Sequence, residues 1–207
     1  MLFMATIHPL RSRSVNTVGI QSHALENLRF IRETMERAGS FTAVPGWGGV
    51  AMGVIALAAG ILAGRQPGLP SQLRVWMAAG VLAALVGLAA TWRKASRTRL
   101  DLSSAPARKF VLGFAPAVAA GGVLTAALYR YTAISLAPGV WLLLYGTAIV
   151  AGGSFSVRPV PLMGLCFMAA GAGALLSPAS WANWYLTASF GGIHLVFGWL
   201  IARRYGG

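Results

Sequence analysis

The chain has 207 residues, 57% of them hydrophobic and only 10% charged, with a mean hydropathy of +0.67. Soluble domains carry about 25% charged residues, so this composition excludes a soluble globular body and points to lipid as the solvent. Seventeen Lys and Arg against four Asp and Glu give a net charge of +13. Most of the basic residues flank apolar runs, so membrane topology and anionic headgroups account for them, and nucleic acid is not expected as a partner.

Residues 1–21 show no periodicity and read as a loose lead. Arg11 and Arg13 are not followed by a short apolar core and a small-residue cleavage site, so the first apolar run is expected to insert the chain and remain. Residues 22–39 differ in kind. Ser22 is placed to cap a helix and Gly39 to end it. Ala24, Leu28, Ile31, Met35 and Ala38 recur at steps of four and three, which lines them along one stripe. The opposite face holds Glu26, Arg29, Arg32, Glu33, Glu36 and Arg37, and its charges sum to zero. The pairs Arg29–Glu33, Arg32–Glu36 and Glu33–Arg37 stand four apart, each expected to add ~0.2–0.5 kcal/mol. A lipid-surface helix carries a Lys/Arg-rich polar face. A neutral one fits a helix that lies on the protein's own cytoplasmic face, or one that docks on a partner helix through Ala24, Leu28, Ile31 and Met35, or one that is simply solvated.

Pro45 stops any continuation of that helix, and Trp47 suits headgroup level. The lead ENLRFIRETMERA running into SFTAVPGWGG, with the end FGGIHLVFG through RRYGG, resembles a family of bacterial polytopic integral-membrane proteins. The resemblance spans the chain and implies a bacterial inner-membrane location, but it brings no activity.

From residue 44 to 207 the pattern is an all-α membrane domain. Spans are predicted at 46–64, 75–92, 110–129, 139–157, 160–177 and 184–202, with five spans as the alternative if the fourth and fifth merge across Arg158-Pro159. With the N-terminus inside, fourteen basic residues fall on the inner side and three (Arg65, Arg74 and Arg130) on the outer. The predicted architecture is therefore a six-helix transmembrane bundle behind one amphipathic cytoplasmic helix, with both termini cytoplasmic. Arg93, Lys94, Arg97 and Arg99, together with Arg108 and Lys109, are expected to contact headgroups of the bilayer.

Lipid tails are as apolar as Leu, so helices must associate by close packing and hydrogen bonds. The 26 glycines supply the means, with small-residue steps at Gly49–Gly53 and Gly60–Gly64 and Gly-Gly pairs at 121–122, 152–153 and 191–192. Pro45-Gly46-Trp47 and Pro138-Gly139-Val140-Trp141 open the first and fourth spans, a faint echo between two halves of three spans each. Trp76, Trp92, Trp141, Trp181, Trp184 and Trp199 lie near span ends, as an aromatic belt requires.

Candidate chemistry is sparse. No Asp, Glu or Lys lies inside a predicted span, which counts against ion-driven transport. Cys166 stands alone, so neither a disulfide within the chain nor a thiolate metal cluster is expected. His194 is the one ionisable group deep in a span and needs a partner, with Ser189, Thr187, Thr147, Tyr145 and Ser154 as candidates. His8 and His23 lie outside the spans, so a bis-histidine haem is not expected, and no metal or cofactor site is predicted. Nor does any nucleophile elbow, zinc-protease helix or phosphate loop occur. The reading is a non-enzymatic membrane subunit or scaffold that forms a homo-oligomer or docks a membrane protein. Its alternatives are a small channel or facilitator for a neutral solute, with His194, Thr147 and Ser189 near the constriction, and a quinone- or haem-contacting subunit.

Overall fold

The structure, a computed structural model, describes residues 42–98 and 101–205 and, in the N-terminal segment, residues 23, 25–31 and 34–35. The expected lead, residues 1–21, lies outside the described residues, as do Ala24, Arg32, Glu33, Glu36, Arg37 and Ala38 of the expected amphipathic helix. The described part of residues 23–35 is helical, and its side chains are exposed. There Thr34 Oγ1 donates to the Phe30 carbonyl at 2.7 Å, and His23 lies 3.7 Å from the Glu26 carboxylate. This segment and residues 38–207 are separate compact units.

The body is helical throughout its regular structure. Six helices are long and apolar enough to cross a membrane: α1 (Gly46–Gly64), α2 (Leu69–Thr98), α3 (Ala105–Arg130), α4 (Ile134–Gly153), α5 (Pro159–Leu176) and α6 (Ala179–Tyr205). The protein is a multi-pass membrane protein by this architecture. The five-span alternative does not hold, because residues 154–158 break the chain between α4 and α5.

The expected spans are correct in order, but several helices outrun them. The second span was expected over 75–92, whereas α2 covers 30 residues. At 1.5 Å per residue that is about 45 Å, against about 30 Å of hydrocarbon. Arg93, Lys94 and Arg97 end the apolar stretch but not the helix, since Lys and Arg are good helix formers. Pro70 is tolerated because it sits in the first turn of α2, and Gly68 turns the chain there with a φ of +88° that an L side chain resists. Between α2 and α3, Asp101 accepts from the Ser103 backbone N–H at 2.8 Å and from its hydroxyl at 2.7 Å. Both bonds hold the Asp101 carboxyl below the ordinary range.

Packing follows two seams. In the first, α1 runs antiparallel against α6. A Cβ on Gly46 would strike the Ala202 backbone, one on Gly49 would stand 3.2 Å from Gly198 Cα, and one on Gly60 would strike Thr187. In the second, α4 runs antiparallel against α5. A Cβ on Gly146 would lie 2.6 Å from the Gly164 carbonyl oxygen, and one on Gly164 would lie 2.7 Å from the Gly146 oxygen. About two turns away, Gly139 and Gly171 approach in the same reciprocal way. At Gly46, Gly49, Gly146–Gly164 and Gly139–Gly171 the absent side chains let backbone meet backbone, which is how helices associate where burial alone supplies no drive.

The remaining helices attach to these seams. α2 packs on α1, and α3 packs on α4, where Gly113 meets the Ala151–Gly152 backbone. α6 also contacts α4 and α5, and so joins the two groups of three. Each half thus pairs its first helix with its own second and with the third of the other half. Within the apolar windows of α2 and α3, 11% and 0% of residues are buried.

Replacing Gly146 by Leu should lower the thermal unfolding midpoint in detergent, because overpacking a tight contact costs about 1–3 kcal/mol. Replacing Gly122 by Leu, where a Cβ meets nothing within 4 Å, should leave the midpoint unchanged or raise it.

Candidate functional site

The polar centre of the bundle is built around an irregular stretch of α6. The helix begins with a single 3-10 turn, Ala179–Trp181, and runs as α-helix through Ala182–Leu186. It then widens into a π-helix over Thr187–Ile193 and resumes as α-helix at His194. Such widened turns occur often at functional positions. Gly191 inside it lets Leu57 of α1 pack directly on the helix backbone, at 2.5 Å from where a Cβ would stand.

His194, immediately after this stretch, is 4% exposed. Its Nδ1 stands 2.9 Å from the Phe190 carbonyl and its Nε2 stands 2.8 Å from the Tyr145 hydroxyl of α4. A carbonyl only accepts, which assigns the proton to Nδ1 and leaves Nε2 to accept from Tyr145. Both ring nitrogens are therefore engaged. Aromatic rings close around the pair: Phe167 of α5 lies 5.0 Å from Tyr145 and 5.2 Å from His194, ring centre to ring centre. Phe190 lies 5.2 Å from both Tyr145 and Phe167, and Phe114 of α3 meets Tyr145 edge-on at 6.1 Å. Trp76 of α2 reaches Phe190 at 6.2 Å. Five of the six helices contribute a ring to one cluster.

Two further polar anchors tie α2 to α1 and α6, one near each end. Near its first turns, Trp76 Nε1 donates to Asn183 Oδ1 at 2.9 Å, and Asn183 Nδ2 donates to the Gly60 carbonyl at 3.0 Å. Near its last turns, Lys94 Nζ donates to the Val44 carbonyl at 3.0 Å and to the Tyr205 carbonyl at 3.1 Å. Lys94, expected at the headgroups, is thus turned inward and is 8% exposed. Its neighbours Arg93 and Arg97 are exposed, and Arg99 lies outside the described residues.

The other expected site residues do not converge on His194. Thr147 is exposed, and its hydroxyl returns to the Leu143 carbonyl of its own helix at 2.9 Å. Ser154 bonds the Val150 carbonyl and Thr187 the Asn183 carbonyl in the same local way, at 2.7 Å each. Ser189 is buried at 3% exposure. In the expected docking stripe, Leu28, Ile31 and Met35 are exposed, and Ala24 lies outside the described residues.

No family model, curated protein or solved structure matches this chain. The family resemblance in the lead and C-terminal segments therefore contributes no activity and no site residue. Among the described residues, no group of three or more His, Cys, Asp or Glu is placed to hold a metal. A haem iron at His194 would require the Tyr145 bond to break, because Nε2 already uses its lone pair.

Sequence reasoning included Tyr145 among five possible partners of His194 but did not single it out. It did not anticipate Asn183, which it placed in a break between spans. Two belt tryptophans also prove to be internal donors: Trp76 is 6% exposed, and Trp141 Nε1 donates to Thr125 Oγ1 of α3 at 2.7 Å. The available signal was the indole N–H, which at a buried position must find an acceptor.

Replacing Tyr145 by Phe should destabilise the bundle by about 1–3 kcal/mol, the cost of leaving a buried acceptor without its donor. Chemical unfolding in mixed micelles should also show Tyr145→Phe and His194→Phe to be non-additive, with the double variant losing less than the sum of the two.

Proposed function

We propose that the protein is a non-enzymatic membrane subunit or scaffold that self-associates or docks a membrane partner through its N-terminal amphipathic helix. The observation that carries this reading is the stripe Leu28, Ile31 and Met35, exposed at 63%, 52% and 70%, on a segment whose described residues form a helix. An amphipathic helix fits a groove or a second helix of like kind. The neutral sum of its charges favours a protein partner over an anionic lipid surface.

The interior supports the same reading. His194, Asn183, Lys94, Trp76 and Trp141 each hold one helix to another segment of the chain, which gives these five polar groups a role in holding the bundle together. The sparse burial of α2 and α3 offers lateral faces on which a second copy or another membrane protein can pack. The asymmetry of basic residues supports an inner-membrane placement with both termini cytoplasmic.

Particle mass in lipid nanodiscs tests the proposal. The wild-type chain should run as an oligomer, or co-purify stoichiometrically with a membrane partner. A Leu28→Glu, Ile31→Glu double variant should dissociate without loss of helicity. A wild-type chain that is monomeric and partnerless in native membranes would reject the proposal.

A further inference from the structure

A groove of about 460 Å³ follows the α1–α6 seam and is lined by Trp47, Val50, Leu195, Val196 and Trp199. It is open along one side, and its lining is almost entirely apolar, which suits it to a chain laid along the surface rather than to an enclosed ligand. The glycine contacts fix its level. Gly46 meets Ala202, Gly49 meets Gly198, and Gly53 meets Leu195, so the groove spans the first two turns of α1 and the last turns of α6. That is the end of α6 at which the chain becomes charged. The Arg203 guanidinium lies 4.6 Å from the centre of the Trp199 ring, so one wall of the groove carries a cation at its rim, and Arg204 follows it. Neither α1 nor α6 contains an Asp or Glu to neutralise that pair.

An apolar groove with the Arg203 guanidinium at its rim, and Arg204 next in the chain, matches one ligand chemistry on both counts. We propose that this groove holds an acyl chain of an anionic phospholipid, laid between Trp47 and Trp199, with the lipid phosphate at Arg203 and Arg204. The two tryptophans supply flat walls for the chain and sit at the interfacial depth they prefer. Stacking on Trp199 holds the Arg203 guanidinium in place before the lipid arrives, so less freedom is lost on binding. A zwitterionic lipid fits the slot equally well but brings a cationic group toward the same arginines.

Native mass spectrometry of the full chain, with phosphatidylglycerol or phosphatidylcholine of identical acyl chains, tests the proposal. Phosphatidylglycerol should be retained at several-fold higher occupancy. Arg203→Gln should lower that occupancy about fivefold while leaving phosphatidylcholine unchanged. Val196→Trp, at a position 63% exposed, should fill the groove and reduce both lipids without changing the unfolding midpoint. Equal retention of the two lipids, or a preference that survives both substitutions, would overturn the proposal by placing the anionic lipid elsewhere on the basic surface. A photocrosslinker at position 196 provides the second arm. Labelling of lipid in vesicles supports the assignment, whereas labelling of residues 22–38 of the chain itself would make that helix the occupant and refute it.

Discussion

Direct contact between helix backbones, permitted by glycine, is the constraint on which the rest of this structure depends. A helix surrounded by hydrocarbon gains nothing by exchanging a lipid contact for a leucine contact. It gains from dispersion at short range and from hydrogen bonds that lipid cannot offer. At Gly146–Gly164 and at Gly49–Gly198 the missing side chains bring main chains together, and each seam fixes an antiparallel pair. Once those pairs are set, the depth of every other residue along them follows. Asn183 lies level with Gly60, Tyr205 comes within reach of Lys94, and the widened turn of α6 delivers His194 to Tyr145.

The polar groups then secure what the glycines bring together. α2 shows this most clearly, because little of its apolar window is buried and it packs on α1. Two anchors compensate. Near one end the Trp76–Asn183–Gly60 chain ties it to α6 and α1, and near the other the Lys94 ammonium caps carbonyls of Val44 and Tyr205. An ammonium offers three donors, which suits it to holding several chain ends at once. At mid-depth the His194–Tyr145 bond joins α6 to α4 within a shell of phenylalanines and so couples the two groups of three helices.

Hydropathy made the six helices legible, together with their order and their short connections, because span length is set by the bilayer. The bounds were less legible. Arg93, Lys94 and Arg97 mark where the apolar stretch ends, and helix α2 continues through them because a charged residue need not break a helix. The seams were partly legible. Gly49–Gly53 and Gly60–Gly64 stood out as steps of four, whereas Gly139, Gly146, Gly164 and Gly171 repeat at steps of seven and at the 18-residue separation of a hairpin. Partners in the interior were the least legible, since Lys94 among arginines looks like a headgroup contact and Trp76 near a span end looks like a belt residue. Direction around a helix decides such cases, and a single sequence holds too little of it.

The central claim is that the His194–Tyr145 bond joins α6 to α4 with both imidazole nitrogens engaged. The chain contains three histidines, and only His194 lies within a helix of the bundle. Magic-angle-spinning NMR of histidine-labelled protein in bilayers can isolate it. The account predicts a neutral ring protonated at Nδ1, with a cross-peak to a tyrosine hydroxyl and no magnetisation transfer from mobile water. A ring protonated at Nε2, or one that exchanges with water on the timescale of the experiment, would contradict it.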